Sequence, residues 1–259
     1  IYNNLRKMII IKTNEQIKLM RVAGRITGEA LLLGGEMVKP GISTKEIDNA
    51  IRRHIEKCGA KPSFLGYGGF PASACISVND EVIHGIPSRE RILEEGDIVK
   101  IDVGAFIGGV HGDSANTIPV GKISDEAAKL IEVTKRSFEV GVEVLRTNPN
   151  PRIGDVGAAI DAYVVANGCS TVKKYVGHGI GANLHEDPNV PNFGTAGRGA
   201  RICRGMVIAI EPMVNAGRPE VLERPDHWTV VTKDGSLSAH YEHTVAMTEN
   251  GPELLTKVN

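Results

Sequence analysis

The chain has 259 residues, with 30 Lys+Arg against 31 Asp+Glu, 41% apolar residues and 24% charged ones. This balance excludes a collagen, a coiled coil and a mostly disordered chain, and it leaves no basic surplus for a domain that binds nucleic acid over its whole surface. The length suits one large domain or two small ones around a well-buried core.

The first apolar run, Met8 to Ile11, is too short for a signal-peptide core, and no run approaches the roughly 18 residues of a membrane span. Residues 1–7 are expected to be an upstream remnant, with Met8 as the natural start. A capping box at Thr13-Asn14-Glu15-Gln16 predicts a first helix with Ile17, Met20, Gly24, Thr27 and Leu31 on one face. Ser43-Thr44-Lys45-Glu46 predicts a second, with Ile47, Ile51, Ile55 and Cys58 a turn apart and Gly59 as its stop. A Gly- and aromatic-rich stretch over 59–85 reads as a loop wall around one strand, and Ile98 to Val103 reads as a strand. Ser124 opens a third helix carrying Ala127, Ile131, Thr134, Phe138 and Leu145; a fourth runs over about 153–167 and stops at Gly168. Met206 to Ile210 is a second apolar strand, and Trp228 to Lys233 with Leu237 to Met247 reads as a hairpin turning at Asp234-Gly235. The four cysteines, Cys58, Cys75, Cys169 and Cys203, form no C-x-x-C pair and read as small hydrophobes in a reducing, cytoplasmic compartment.

The chain repeats itself at an offset of 109 residues: Pro40 meets Pro149, Ala50 meets Ala159, Ile51 meets Ile160, Gly59 meets Gly168, Gly68 meets Gly177, Gly85 meets Gly194 and Gly96 meets Gly205. The order of elements matches as well as the letters, which predicts two similar halves facing each other. At the same offset Asp102 meets Glu211, each expected at the end of an apolar strand, so that two carboxylates enter a central site from equivalent positions.

A two-residue turn at Gly108-Gly109 would set residue 102 opposite residue 115 and make Asp102 and Asp113 diagonal neighbours on one face. Either each carboxylate caps a turn or pairs with a lysine, or a cation lies between them. His178 stands between Gly177 and Gly179, which let a ligand approach its ring, and His185 follows seven residues on. Neither the zinc-protease helix nor a phosphate loop is present. With Glu211 and Glu242, the set is two Asp, two Glu and one His, a donor mix suited to Mn, Fe, Co or Zn.

These residues carry a family resemblance. From about residue 11 to 255 the chain resembles the type I methionine aminopeptidases of bacterial form, through Met20-Arg21-Val22-Ala23-Gly24, Val38-Lys39-Pro40-Gly41, His84-Gly85-Ile86-Pro87, Gly96-Asp97-Ile98-Val99, Asp102-Val103, His111-Gly112-Asp113, Gly177-His178-Gly179-Ile180-Gly181, Ile210-Glu211-Pro212-Met213 and Tyr241-Glu242-His243-Thr244. The resemblance implies an α+β (α/β two-layer) pita-bread fold with pseudo-twofold halves, an antiparallel β core and helices outside. It implies a tail over 1–10 and one catalytic domain over 11–259, with halves of about 11–120 and 121–259. It also implies two divalent metal ions (Co, Mn, Fe or Zn), with Asp102 on the first, Asp113 and Glu242 bridging, and His178 and Glu211 on the second. Glu211 would shuttle the proton, His185 would steady the oxyanion and His84 would contact the peptide nitrogen. Tyr67, Phe70, Cys75, Leu184 and Trp228, with Phe64 nearby, would wall a methionine pocket; ordinary core packing is the alternative reading for Cys75 or Leu184 alone. The implied substrates are N-terminal Met peptides and nascent chains with a small second residue, handled by a monomer in transient contact with the ribosome, with no specific nucleic acid and no membrane.

Three positions depart from the family pattern: His227 stands where Gly is common, His240 where Gln is common, and Leu184 where an aromatic is frequent. They leave the ligands untouched and bear on the pocket shape and the pH profile. His54, His111 and His243 read as structural or surface residues, the last two neighbouring ligands. The rival readings are a prolidase or aminopeptidase P relative, a non-catalytic module of the same fold, and a Mg-dependent phosphatase or nuclease.

Overall fold

The computed structural model describes residues 8–258, so the expectation for residues 1–7 lies outside the described residues. Thr13, Ser43 and Ser124 each accept a hydrogen bond from the backbone N–H three residues on, and they start α1 (Asn14–Glu36), α2 (Thr44–Lys57) and α3 (Asp125–Thr147). At α4 (Ile153–Ala166) the Asp155 carboxylate takes the Arg152 N–H instead. The helices are 23, 14, 23 and 14 residues long, in that order. α2 and α4 each end before a glycine in the left-handed region, Gly59 at φ +75° and Gly168 at +78°. The internal repeat read from the letters is therefore a repeat of structure.

Between α2 and α3 lie β1 (Lys61–Pro62), β2 (Ala74–Val78), β3 (Glu81–Ile83), β4 (Ile98–Ile107) and β5 (Val110–Pro119). After α4 come β6 (Ser170–Thr171), β7 (Gly177–Gly179), β8 (Glu186–Val190), β9 (Val207–Ile210), β10 (Met213–Asn215), β11 (Val221–Glu223), β12 (Val230–Thr232), β13 (Ser238–His240), β14 (Glu242–Thr248) and β15 (Gly251–Leu254). One antiparallel sheet runs β1-β4-β5-β14-β9-β7-β8, with β2 also on β4 and β15 on β14. The two halves meet at the β5·β14 pair, and with the helices outside this is the pita-bread arrangement.

Alternation along the strands divides the sheet into two faces. Val99, Ile101 and Val103 of β4 pack with Ile26, Ile47 and Ile51 of α1 and α2. Ile208 and Ile210 of β9 and Val245 of β14 pack with Leu130, Phe138 and Ile160 of α3 and α4. The intervening residues, Asp102 and Glu242 among them, project from the opposite face. The tight turn forms as expected: Ile107 pairs with Val110, Gly108 and Gly109 have φ +61° and +83°, and Asp102 pairs with Ala115.

Three expectations need correction. The stretch over 59–85 carries three short strands, β1, β2 and β3, rather than one. Asp102 sits midway along β4 rather than at a strand end, because β4 is laddered on both edges, by β1 and β2 and by β5. Only Glu211 follows a strand end, where Pro212 offers no N–H to continue the ladder. The hairpin expected around Asp234-Gly235 does not pair with itself. β12 joins β11 and β3, β13 joins β10, and β14 enters the central sheet. Val230 buries against Val82, Ile83 and Met213, whereas Val245 and Met247 bury against the second helix pair. Two separate apolar destinations outweigh the local turn.

Candidate metal centre

Strand register builds the acidic cluster. Cys75 pairs with Asp102, Asp102 with Ala115, and Ala115 with Glu242, so the four form one row across the sheet. Directly paired residues share a face, and Asp113, two residues from Ala115, shares it too. The small Ala115 leaves open space between the carboxyls on either side. Thr244 Oγ1 accepts from the Asp113 N–H at 2.9 Å and donates to the Asp113 carbonyl at 2.8 Å, locking β5 to β14 at this row. Ser114 Oγ donates to the Glu242 carbonyl at 2.7 Å.

His178 enters from β7. Its Nδ1 donates to the Gly179 carbonyl at 2.8 Å, which leaves the Nε2 lone pair facing the acids. That nitrogen is 3.5 Å from Glu211 Oε1 and 3.8 Å from Asp113 Oδ2. Donor atoms of Asp113, His178 and Glu242 all lie within 4.8 Å of one another, and all three residues are buried.

A lone pair aimed at carboxylates, and carboxylates aimed at one another, is untenable without positive charge. Burial pushes Asp102 up to about 7. Burial first, then neighbouring carboxylates, pushes Asp113, Glu211 and Glu242 well above the usual range. Burial, aided by His185, pushes His178 down to about 3. Asp102 Oδ1, Asp113 Oδ1 and Glu242 Oε1 are buried without a hydrogen-bond partner. The acids can keep their protons, or a divalent cation can replace those protons and meet the His178 lone pair as well. The donor set fits such a cation.

The acids open into a cavity of about 150 Å³ lined by Phe64, Tyr67, Phe70, Cys75, His84, Leu184, His185 and Trp228 as well as Asp102, Asp113, His178, Glu211 and Glu242. Every candidate residue of the sequence reading thus lies on one cavity. A volume of this size accommodates a small apolar group. The Phe70 and Trp228 rings meet edge to face at 5.1 Å, and Tyr67 bonds His185 Nδ1 at 2.7 Å. His84 is in the left-handed region at φ +59°, beyond β3, and its half-buried ring is held near a pKa of about 4 by desolvation and His185. Burial and the nearby acids raise the Cys75 thiol well above its ordinary range, so it lines the wall as a neutral thiol.

The remaining histidines separate by place. His243 lies on the helical face of β14, its Nδ1 on Thr256 Oγ1 at 2.8 Å and its ring 5.4 Å from Phe138. His111 bonds Ser63 Oγ at 2.9 Å. Sequence reading missed two contributors. His240, noted only as a departure from pattern, is 2% exposed with Nε2 3.8 Å from Glu211 Oε2 and 3.9 Å from Glu242 Oε2. The Asn192 side chain donates to the Glu211 carbonyl at 2.9 Å. The His240 signal was its place two residues before Glu242; Asn192 sits in a loop with no pattern to mark it.

Comparison with known proteins bears on this centre. The family model described as metallopeptidase family M24 matches residues 18–249. A methionine aminopeptidase of Clostridium acetobutylicum is 53% identical over 249 residues, covering 96% of this chain and 99% of that protein. The crystal structure of methionine aminopeptidase from Thermotoga maritima superposes with a TM-score of 0.94 at 43% identity, covering 97% of this chain and all of that one. The prolidase from Pyrococcus furiosus superposes less closely, with a TM-score of 0.78 at 25% identity, covering 96% of this chain but 66% of its own.

Proposed function

The chain belongs to metallopeptidase family M24, among its methionine aminopeptidases, and from that premise we propose how its cavity removes the N-terminal methionine of peptides and nascent proteins. The observation that carries the reading is the meeting, in one cavity of about 150 Å³, of a four-carboxyl, one-imidazole cluster with a wall of Phe70, Trp228, Cys75 and Leu184. Asp102, Asp113, His178, Glu211 and Glu242 would hold two divalent ions, and Co, Mn, Fe and Zn all accept that donor set. When bound, the ions polarise the scissile carbonyl and acidify water toward neutrality.

The protein's own groups do the rest. Glu211 takes the proton of the attacking water and passes it toward the leaving nitrogen. His185 donates to the developing oxyanion, and His84 contacts the peptide nitrogen. Phe64, Tyr67, Phe70, Cys75, Leu184 and Trp228 exclude water around the methionine side chain. A small second residue in the substrate follows from the likeness to the methionine aminopeptidases. Action on nascent chains entails a transient contact with the ribosome in a reducing cytoplasm, a setting that suits the four free cysteines. Among the described residues no helix is long and apolar enough to cross a membrane.

The test is hydrolysis of Met-Ala-Ser against Ala-Ala-Ser, Met-Pro-Ala and an N-acetylated control, with Mn or Co, with chelator, and with Asp102→Ala. Release of free Met that is abolished by chelator and by the variant is expected. Cleavage before Pro whatever the first residue would favour a prolidase, and no cleavage by folded, metal-loaded protein would overturn the reading.

A further inference from the structure

A second group of metal-type donors lies on the helical layer, away from the cavity and independent of its function. His54 and Cys58 are one turn apart at the end of α2 and share a face. α1 approaches that face closely at Gly34, where a Cβ would lie 2.9 Å from Ile51 Cδ1. This brings Glu29 of α1 against them. Arg25 Nη1 holds Glu29 Oε1 at 2.7 Å, while Glu29 Oε2 turns to His54 Nε2 at 3.6 Å. Cys58 Sγ addresses the same nitrogen at 3.7 Å.

One imidazole nitrogen cannot serve both neighbours. As a donor to Glu29 it cannot accept the Cys58 thiol proton, and as an acceptor from Cys58 it turns a lone pair on the carboxylate. A cation among the three satisfies all of them. The spacing suits it: bonds of about 2.0–2.3 Å in a tetrahedral set put neighbouring donors roughly 3.3–3.8 Å apart. One sulfur, one imidazole nitrogen and one carboxylate oxygen within 4.8 Å of one another favour a borderline-soft ion over Ca or Mg. The side chains of His54 and Glu29 are 26% and 33% exposed, so water can enter as a fourth ligand.

We infer that Glu29, His54 and Cys58 form a peripheral site for a Zn²⁺-type cation that clamps α1 to α2. Binding releases the Cys58 thiol proton to solvent and leaves thiolate, imidazole and carboxylate around the ion.

The test is spectroscopic and needs no activity. Chelator-treated full chain is titrated with Co²⁺, and the near-ultraviolet thiolate-to-cobalt charge-transfer band is followed. None of the five ligands proposed for the cavity is sulfur, so the band reports the peripheral site. The expected result is a saturable band that excess Zn²⁺ abolishes, that is lost in Cys58→Ser and that persists in Cys75→Ser. His54→Asn, with folding checked by circular dichroism, should raise the cobalt concentration for half-saturation by more than about tenfold. No band in the wild type, a band that survives Cys58→Ser, or one that disappears only in Cys75→Ser would overturn the assignment.

Discussion

The Tyr67 hydroxyl and Nδ1 of His185 lie 2.7 Å apart, so a residue read from the sequence as pocket wall also sets the orientation of a neighbouring imidazole. When the hydroxyl donates to Nδ1, the ring proton sits on Nε2, the tautomer that can donate into the cavity. Tyr67→Phe keeps the wall and removes the donor. Its kcat on Met-Ala-Ser should fall roughly tenfold to a hundredfold, while KM changes little, because the lost contact serves the transition state. Steady-state kinetics decide it; a raised KM at unchanged kcat would assign Tyr67 to binding alone.

His240 Nε2 faces the second oxygens of Glu211 and Glu242, on the far side of Glu211 from His178. As an N–H donor it would hold both carboxylates in orientation, and a glutamine at this place offers an N–H as well. His240→Leu should weaken metal retention about 10–100-fold, and His240→Gln should largely restore it. Competition with a chromogenic chelator measures both; equal affinity in wild type and His240→Leu would remove His240 from the centre.

How far the sequence foretold this centre follows from the physics of each element. Capping hydroxyls at Thr13, Ser43 and Ser124 and the double glycine at 108–109 are local signals, and the helices and tight turn follow them. Register in a two-residue hairpin is arithmetic, so Asp102 opposite Ala115 was legible as well. The pairing of Ala115 with Glu242 joins strands far apart in sequence, and only the resemblance pointed to it. The failed hairpin at Asp234-Gly235 shows the converse: a good local turn carries no information about which sheet its flanks will bury in. Tyr67 on His185 and Glu29 beside His54 are likewise tertiary, with no spacing to announce them.

His227 has φ +62°, the left-handed region, directly before the pocket residue Trp228. This explains why glycine suits the position: a side chain there costs about 1–2 kcal/mol. Glycine also gains freedom in the unfolded chain, which offsets part of that cost. His227→Gly should therefore stabilise the protein by about 0.5–1 kcal/mol, roughly 1–4 °C in Tm. The Asp226 carboxylate still receives the Trp228 and Thr229 N–H groups at 2.9 and 2.8 Å, so KM for Met peptides should hold. Thermal unfolding reads the first part, and a lower Tm in the variant would contradict it.

The last prediction concerns pH and the metal-free protein. Burial raises the Asp102 carboxyl from 3.8 to about 7 in the folded state. A carboxyl raised on folding contributes its stability below the unfolded value and loses it as pH climbs through the folded value. Chelator-treated wild type should thus lose stability between about pH 4 and 7 relative to Asp102→Asn, which has no proton to lose there. The gap should be near zero at pH 4 and grow to about 2–4 kcal/mol by pH 7, and it should not close above pH 7, because the ionised Asp102 also opposes ionisation of Asp113, Glu211 and Glu242. His178 and His240, both pushed down to about 3 by burial, act in the opposite sense but are common to both proteins and cancel in the comparison. Added divalent metal should reverse the order above pH 7, because the ionised carboxylate then has a cation to face and asparagine does not. Parallel denaturant titrations from pH 4 to 8, with and without metal, decide it. A wild-type–variant gap independent of pH would mean that Asp102 meets no desolvation cost, and a gap that metal leaves unchanged would remove Asp102 from the ion's ligands.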